Sequence, residues 1–206
     1  MPRMKLYLTP ISPNSRKVSA VQAHLGLECD VQIVDLSNED NRAPRYLAVN
    51  PNGMVPTMID DGFTLWESNA IMAYMCSKVD TELWPNGNAR YDVLRWMNWE
   101  LAHWGRWLTI YGFEMFREKF GMGEVDQKAL AAAGAAIARF GKVLDDHLSR
   151  RTFLVGDALT IADFAVASHL AYRIPAKYPL DSFKHILAWE ARLAEVPAWR
   201  DTTPES

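Results

Sequence analysis

The sequence predicts an α/β domain over residues 1–83 followed by an all-helical domain over residues 84–206. Three observations support this division. Short apolar runs alternate with helical patterns up to about Lys78, strand patterns then cease, and the turn-rich segment "WPNGNA", Trp84 to Ala89, lies between the two halves. The chain opens on "MKLYL", a strand, and a helix over Asn14 to Leu25 that Gly26 closes. "VQIVDL" reads as a second strand, followed by a long loop with one helical turn around Arg45 to Ala48. "PTMID", the turn "DDG" and "FTLWE" make a β-hairpin, and Ser68 to Cys76 a third helix. The order βαβ, loop, ββα implies a small four-stranded mixed sheet with helices packed on it. Parallel pairing of its first two strands requires a right-handed crossover through the first helix.

The second half reads as four helices, over Ala89 to Phe120, Val125 to Ser149, Thr160 to Tyr172 and Ser182 to Glu195. In the first of these, Leu94, Met97, Leu101, Trp104, Leu108, Tyr111 and Met115 recur at spacings of three and four and predict one apolar seam. Trp96, Trp99, His103, Trp107 and Ile110 form a second stripe. A helix with two apolar stripes either buries both, or buries one and offers the other to a ligand or subunit. Farther on, Thr160 stands three residues before Asp163 ahead of an apolar run, the pattern of a capping box.

Nearly half of the 206 residues are apolar, enough for a substantial core without staples. The net charge of −3, from 22 basic and 25 acidic residues, argues against nucleic acid or an anionic membrane as the main partner. Cys29 and Cys76 are the only cysteines and lie in no metal-binding or C-x-x-C spacing, so neither a disulfide framework nor a metal site is expected. No apolar stretch has the length of a membrane span, and the N-terminus has no leader-like apolar run. The expectation is a soluble, cytoplasmic protein.

Three segments of the first half carry candidate chemistry. In "SPNSRK", Ser12 suits a helix N-cap with Pro13 at the first helical position. Free N–H groups and the positive end of the helix dipole beside it also suit an anion. In "NPNGMVPT", Asn50 to Thr57, turn chemistry runs into a strand that opens on Pro56, a position where a missing ladder donor is tolerated. In "LWESNAI", Glu67 and Ser68 stand where a strand turns into the third helix. Such a corner either caps the helix or holds a carboxylate at the amides and an ammonium at Glu67.

The order and spacing of "SPNSRKV", "NPNGMVPTM", "LWESNAI" and "LVGDALTIADFAVA" resemble the cytosolic glutathione transferase superfamily, in particular its bacterial, phi/theta-like serine-type members. The resemblance spans essentially the whole chain. It implies a thioredoxin-like N-terminal domain, an all-α helical-bundle C-terminal domain, a homodimer and a cis bond before Pro56. It also implies a detoxifying transferase with glutathione as co-substrate and a hydrophobic small molecule as electrophile. Carried over residue by residue, Ser12 resembles the hydroxyl donor to the glutathione sulfur, with Ser15 and Asn14 as alternates. Val55, in the loop of Met54 and Pro56, would pair through its backbone with the cysteinyl part. Glu67 and Ser68 would hold the γ-glutamyl end, and Arg42 the glycyl carboxylate. Met54 departs from the pattern, since many relatives carry a polar residue there. Trp107, Tyr111 and Met115 are the expected walls of the electrophile pocket, and His24 is expected to be structural.

The chemistry this implies is modest in energy. A thiol of pKa about 8.5 is mostly protonated at neutral pH, and the thiolate is the nucleophile. Lowering that pKa by about two units needs about 2.7 kcal/mol of preferential thiolate stabilisation. One hydrogen bond to a charged acceptor supplies about 1.5–3 kcal/mol and a helix N-terminus about 0.3–1 kcal/mol. Other readings compatible with the sequence are a glutathione-dependent disulfide reductase or peroxidase on the same fold, and a non-catalytic glutathione-binding scaffold.

Overall fold

The computed structural model describes residues 4–203. They divide into two compact units, one comprising the chain up to Trp84 together with the segment from Pro197, the other Pro85–Val196. The tail from Pro197, placed by sequence with the helical domain over 84–206, thus groups with the first unit. The reason is a set of contacts from Trp199 and Thr203 to Arg16.

The first unit is built on four strands in the order β2-β1-β3-β4. β1 (Met4–Leu8) runs parallel to β2 (Cys29–Ile33) and antiparallel to β3 (Thr57–Asp60), which pairs antiparallel with β4 (Phe63–Trp66). β2 is paired two residues earlier than the "VQIVDL" pattern implies. Met4–Leu8 pairs with Cys29–Ile33 residue by residue, and beyond Val34 the Asp35 carboxylate accepts from the Ser37 amide and turns the chain away. Helix α1 (Pro13–His24) makes the crossover. It ends in a Schellman motif: Gly26 takes φ 63°, its N–H donates to the Ala23 carbonyl, and the Leu27 N–H donates to the Gln22 carbonyl. A 3₁₀ turn (Asp40–Arg42) and the short helix α2 (Pro44–Leu47) fill the long connection, and helix α3 (Ser68–Cys76) follows β4. α1 and α3 pack on each other. Leu6 and Met58 from the sheet, with Val18, Val21, Ile71, Met72 and Met75 from the helices, are fully buried and form the core of this unit. The observed architecture is the expected one, a mixed-sheet domain followed by a helical one.

In the second unit, the single helix expected from Ala89 to Phe120 is three segments: α4 (Asn88–Trp99), a π turn (Glu100–Trp104) and α5 (Gly105–Phe116). The π turn inserts an extra residue and shifts the phase of everything beyond it. The uniform apolar seam therefore fails at Leu94 before the turn and at Leu101 within it. Leu94 is 37% and Leu101 46% exposed, while Trp96, of the other stripe, is buried. Gly105 leaves room for the buried carboxylate of Glu100, which a Cβ there would meet. Helix α6 (Gln127–Leu148) is capped by Asp126, which accepts from the amides of Lys128 and Ala129. Helix α7 (Ile161–Ala167) continues as a 3₁₀ segment (Ser168–Tyr172), and α8 (Lys184–Ala194) ends the unit. The core joins Trp104, Leu108, Ile137, Leu144, Phe164, Ile186, Trp189 and Leu193. Helix α9 (Pro197–Arg200), which periodicity did not reveal, belongs to the first unit.

Among the described residues, no helix is long and apolar enough to cross a membrane, and no group of three or more His, Cys, Asp or Glu could hold a metal ion.

Candidate active site

The strand register brings the three candidate segments to one end of the sheet. Tyr7 pairs with Thr57, and Thr57 with Trp66, so the chain leaves β1, enters β3 and leaves β4 at the same level. Ser12, the Val55–Pro56 bond and Glu67–Ser68 follow or precede those positions by a few residues. The connection carrying Arg42 leaves β2 at this end too, since Ile33 pairs with Leu8 and the Val34 N–H donates to the Leu8 carbonyl.

Ser12 is the N-cap of α1, with extended backbone (φ −87°, ψ 123°) and Pro13 at the first helical position. Its Oγ accepts from the Ser15 amide at 3.3 Å, and its carbonyl accepts from the Arg16 amide at 3.0 Å. The cap therefore uses a lone pair of the hydroxyl and leaves its proton uncommitted among the described residues. Ser12 is half-buried, whereas Ser15 is 2% exposed and its Oγ accepts from the Thr9 amide at 3.1 Å. Ser15 thus closes the turn from inside. Asn14 spans to the second corner: its Oδ1 accepts from the Ser68 hydroxyl at 3.3 Å.

The backbone of that corner is strained. Glu67 takes φ 75°, ψ 112°, outside the conformations a side chain prefers, and is exposed. Ser68, buried, begins α3 directly behind it.

The Val55–Pro56 bond is cis, as the resemblance implied. The loop ahead of it is held from within. The Met54 carbonyl accepts from the Tyr46 hydroxyl at 2.6 Å and from Asn50 Nδ2 at 2.8 Å, and both donors also meet the buried Thr57 hydroxyl. Asn41 Nδ2 donates to the Gly53 carbonyl at 2.7 Å. Gly53 takes φ 61°, and a Cβ on it would lie 3.1 Å from the Asn41 carbonyl and 3.4 Å from Arg42 Nη1. The exposed Arg42 guanidinium therefore stands beside this loop. Held in this way, the Met54 side chain projects outward, 66% exposed. The buried Tyr46–Asn50–Thr57 network that sets this geometry was not singled out from sequence; the "NPNG" turn signal is adjacent to it but does not reveal it.

The protein's own thiols are poorly suited to nucleophilic work. Burial pushes the Cys29 thiol up to about 11, with Asp60 adding to the shift, and burial pushes the Cys76 thiol up to about 12. His24, exposed near the end of α1, has its pKa lowered by desolvation and makes no part of the arrangement around Ser12.

In the second unit, Trp107, Tyr111 and Met115 lie along one stripe of α5, each half-buried. The Tyr111 ring meets Tyr178 edge-on at 5.9 Å and lies where a Cβ on Gly134 would touch it, so this side chain already packs against its own unit.

With this geometry in view, comparisons with known proteins converge. The family model described as the glutathione S-transferase N-terminal domain matches residues 11–78, and that of the C-terminal domain matches residues 107–197. The chain is 31% identical to glutathione S-transferase D7 of Drosophila melanogaster over 205 residues, 97% of this chain and 88% of that protein. It is 29% identical to glutathione S-transferase 3 of Zea mays, covering 98% of this chain and 94% of that one. Among solved structures, a glutathione transferase family member from Pseudomonas fluorescens, with two glutathione bound, superposes with a TM-score of 0.88 at 27% identity, covering 98% and 92% of the two chains. The fold and the sequence together define the glutathione transferase architecture, a thioredoxin-like domain joined to a helical one. The chain belongs to the glutathione S-transferase family.

Proposed function

We propose that this protein is a glutathione transferase: it binds glutathione at the end of the four-stranded sheet and presents its thiolate to an apolar electrophile. The observation that carries the reading is the Ser12 hydroxyl, whose oxygen is engaged in capping α1 while its proton is available to a sulfur. In this scheme, Ser12 donates to the glutathione sulfur beside the positive end of α1 and favours the thiolate over the thiol. The backbone of Val55, in the loop held by Tyr46 and Asn50, pairs with the cysteinyl unit, flanked by Met54 and Pro56. Ser68 and the first amides of α3 hold the γ-glutamyl carboxylate and Glu67 its ammonium, while Arg42 takes the glycyl carboxylate. Asn14 steadies Ser68, and Ser15 steadies the turn rather than the sulfur. Trp107, Tyr111 and Met115 are assigned to the electrophile's apolar surroundings.

Support for glutathione as co-substrate comes from the similarity to glutathione S-transferases and to a solved family member with glutathione bound. A homodimer is part of the proposal. Phe63 and Trp66 in the first unit, and Tyr91, Leu94 and Leu101 in the second, are large apolar side chains left exposed. Free cysteines fit a cytoplasmic setting.

The test is turnover of glutathione with a chlorodinitrobenzene, together with calorimetric titration of glutathione. Glutathione binding with conjugation is expected. Absence of binding up to millimolar ligand would remove the reading. Ser12→Ala is expected to move the pH midpoint of activity upward, and an unchanged midpoint would take Ser12 out of the role.

A further inference from the structure

The C-terminal segment and the start of α1 are fastened through one buried side chain. Arg16, 5% exposed, lies with its guanidinium carbon 3.5 Å from the centroid of the Trp199 ring. Its Nη2 donates to the Trp199 carbonyl at 3.1 Å and to the Thr203 hydroxyl at 2.8 Å. Trp199 is itself 4% exposed, and α1 packs on α9. A planar guanidinium suits this geometry, because it stacks on an aromatic face while its edge donates in a fixed fork. A cation in the first turn of a helix opposes the helix dipole, so Arg16 at this place needs the compensation that the tail supplies.

The same residue holds Ser12 from the other side. The Arg16 amide donates to the Ser12 carbonyl at 3.0 Å, the bond that closes the first turn of α1. A continuous path thus runs from Trp199 and Thr203, through the Arg16 side chain and backbone, to Ser12. We propose that Arg16 is a positioning residue for the sulfur-binding hydroxyl, and that the Pro197–Thr203 segment is the strap that holds it. This rests on the glutathione transferase reading of Ser12. A strap of this kind acts on the reacting thiol rather than on glutathione affinity, because Ser68, Val55 and Arg42 reach the site from other elements.

The experiment compares wild type with Trp199→Ala, Trp199→Phe, Arg16→Lys and Thr203→Val. It measures the pH midpoint and kcat of glutathione conjugation to a chlorodinitrobenzene, the ultraviolet absorbance of the bound thiolate against pH, and amide exchange over residues 13–18. Trp199→Ala is expected to raise the thiolate midpoint and lower kcat about tenfold, with KM for glutathione changed less than about twofold. Faster exchange over residues 13–18 is expected to accompany this. Trp199→Phe restores a ring face and recovers most of the loss. Arg16→Lys keeps the charge without the fork, and Thr203→Val removes one acceptor, so both give smaller shifts in the same direction. These two carry the test if Trp199→Ala does not fold. A variant set that loses thermal stability while keeping the wild-type midpoint and exchange overturns the strap. So does Trp199→Phe behaving as Trp199→Ala. Wild type without glutathione binding or turnover instead overturns the transferase reading and, with it, the role of Arg16 toward sulfur. The exchange data are collected without glutathione and decide the fastening separately.

Discussion

Two helix starts in this molecule use hydroxyl side chains in opposite ways. At the start of α7, Thr160 is 2% and Asp163 0% exposed. Asp163 Oδ2 accepts from the Thr160 amide at 2.9 Å and hydroxyl at 3.0 Å, and Oδ1 accepts from the Leu154 amide at 2.9 Å and Trp189 Nε1 at 3.0 Å. At the start of α1, Ser12 lends only an acceptor lone pair to its helix, and its proton faces no partner among the described residues. A hydroxyl whose proton is spent inside the fold stabilises it, and one whose proton is spare can serve a ligand. The difference lies in whether a carboxylate follows three residues later: Asp163 does in α7, whereas Ser15 does in α1.

The largest expected effect on folding lies at the closed start. Asp163→Ala strands four buried donors and should destabilise the second unit by about 3–5 kcal/mol, read as a lowered midpoint in urea. Burial outweighs those donors and raises the Asp163 carboxyl from 3.8 to about 6. Because the folded value is the higher one, the folded state binds the proton more tightly. The associated stability is complete below about pH 4 and is lost as pH rises through about 6, a change of about 3 kcal/mol. Asp163→Asn should abolish this part of the slope. A variant with the wild-type slope between pH 4 and pH 6.5 would show that other groups produce it.

Thr160→Ala is milder. The lost cap and the lost donor to Asp163 should lower stability by about 1–2 kcal/mol, with glutathione turnover of the folded protein unchanged. Reduced turnover at full folding would mean that the closed start is not purely structural.

How far these two starts could be told apart in advance depends on distance along the chain. The Thr160–Asp163 spacing, the Ser12–Pro13 start and the hairpin are local patterns, and all were legible. The inward position of Ser15 was not, because the Thr9 amide draws it inside, on a turn whose path only the packed unit determines. The π turn is invisible to a 3.6-residue period, and Glu100, an acidic residue folded into the core beside Gly105, carries no hydrophobic signal. The Tyr46–Asn50–Thr57 network escaped because its members are polar groups that meet only after β3 pairs with β1. The place of Trp199 has no local signal, since its partner Arg16 lies 183 residues away.

At the open start, Ser12→Ala removes cap and donor together. Stability should fall by about 0.5–2 kcal/mol. The rate with glutathione should fall about 10- to 100-fold near neutral pH, corresponding to one lost hydrogen bond to a charged acceptor, and recover as the pH is raised. A loss that persists at high pH would mean that Ser12 does more than favour the thiolate.

The smallest expected change in folding is the most telling for the comparison. Ser12→Asp keeps an acceptor oxygen at the N-cap, where aspartate caps about as well as serine and its charge suits the helix dipole. Stability should therefore stay within about 0.5 kcal/mol of wild type. Aspartate has no proton to give at neutral pH, and its charge repels a thiolate, so the pH midpoint of the bound thiol should rise and turnover should drop at least as far as in Ser12→Ala. A folded, unperturbed Ser12→Asp that has lost thiolate formation separates the two uses of one hydroxyl: the lone pair serves the helix and the proton the ligand. Retained turnover in that variant would return Ser12 to the class of Thr160, a cap and nothing more, and pass the sulfur to Asn14 or to the amides of the first turn.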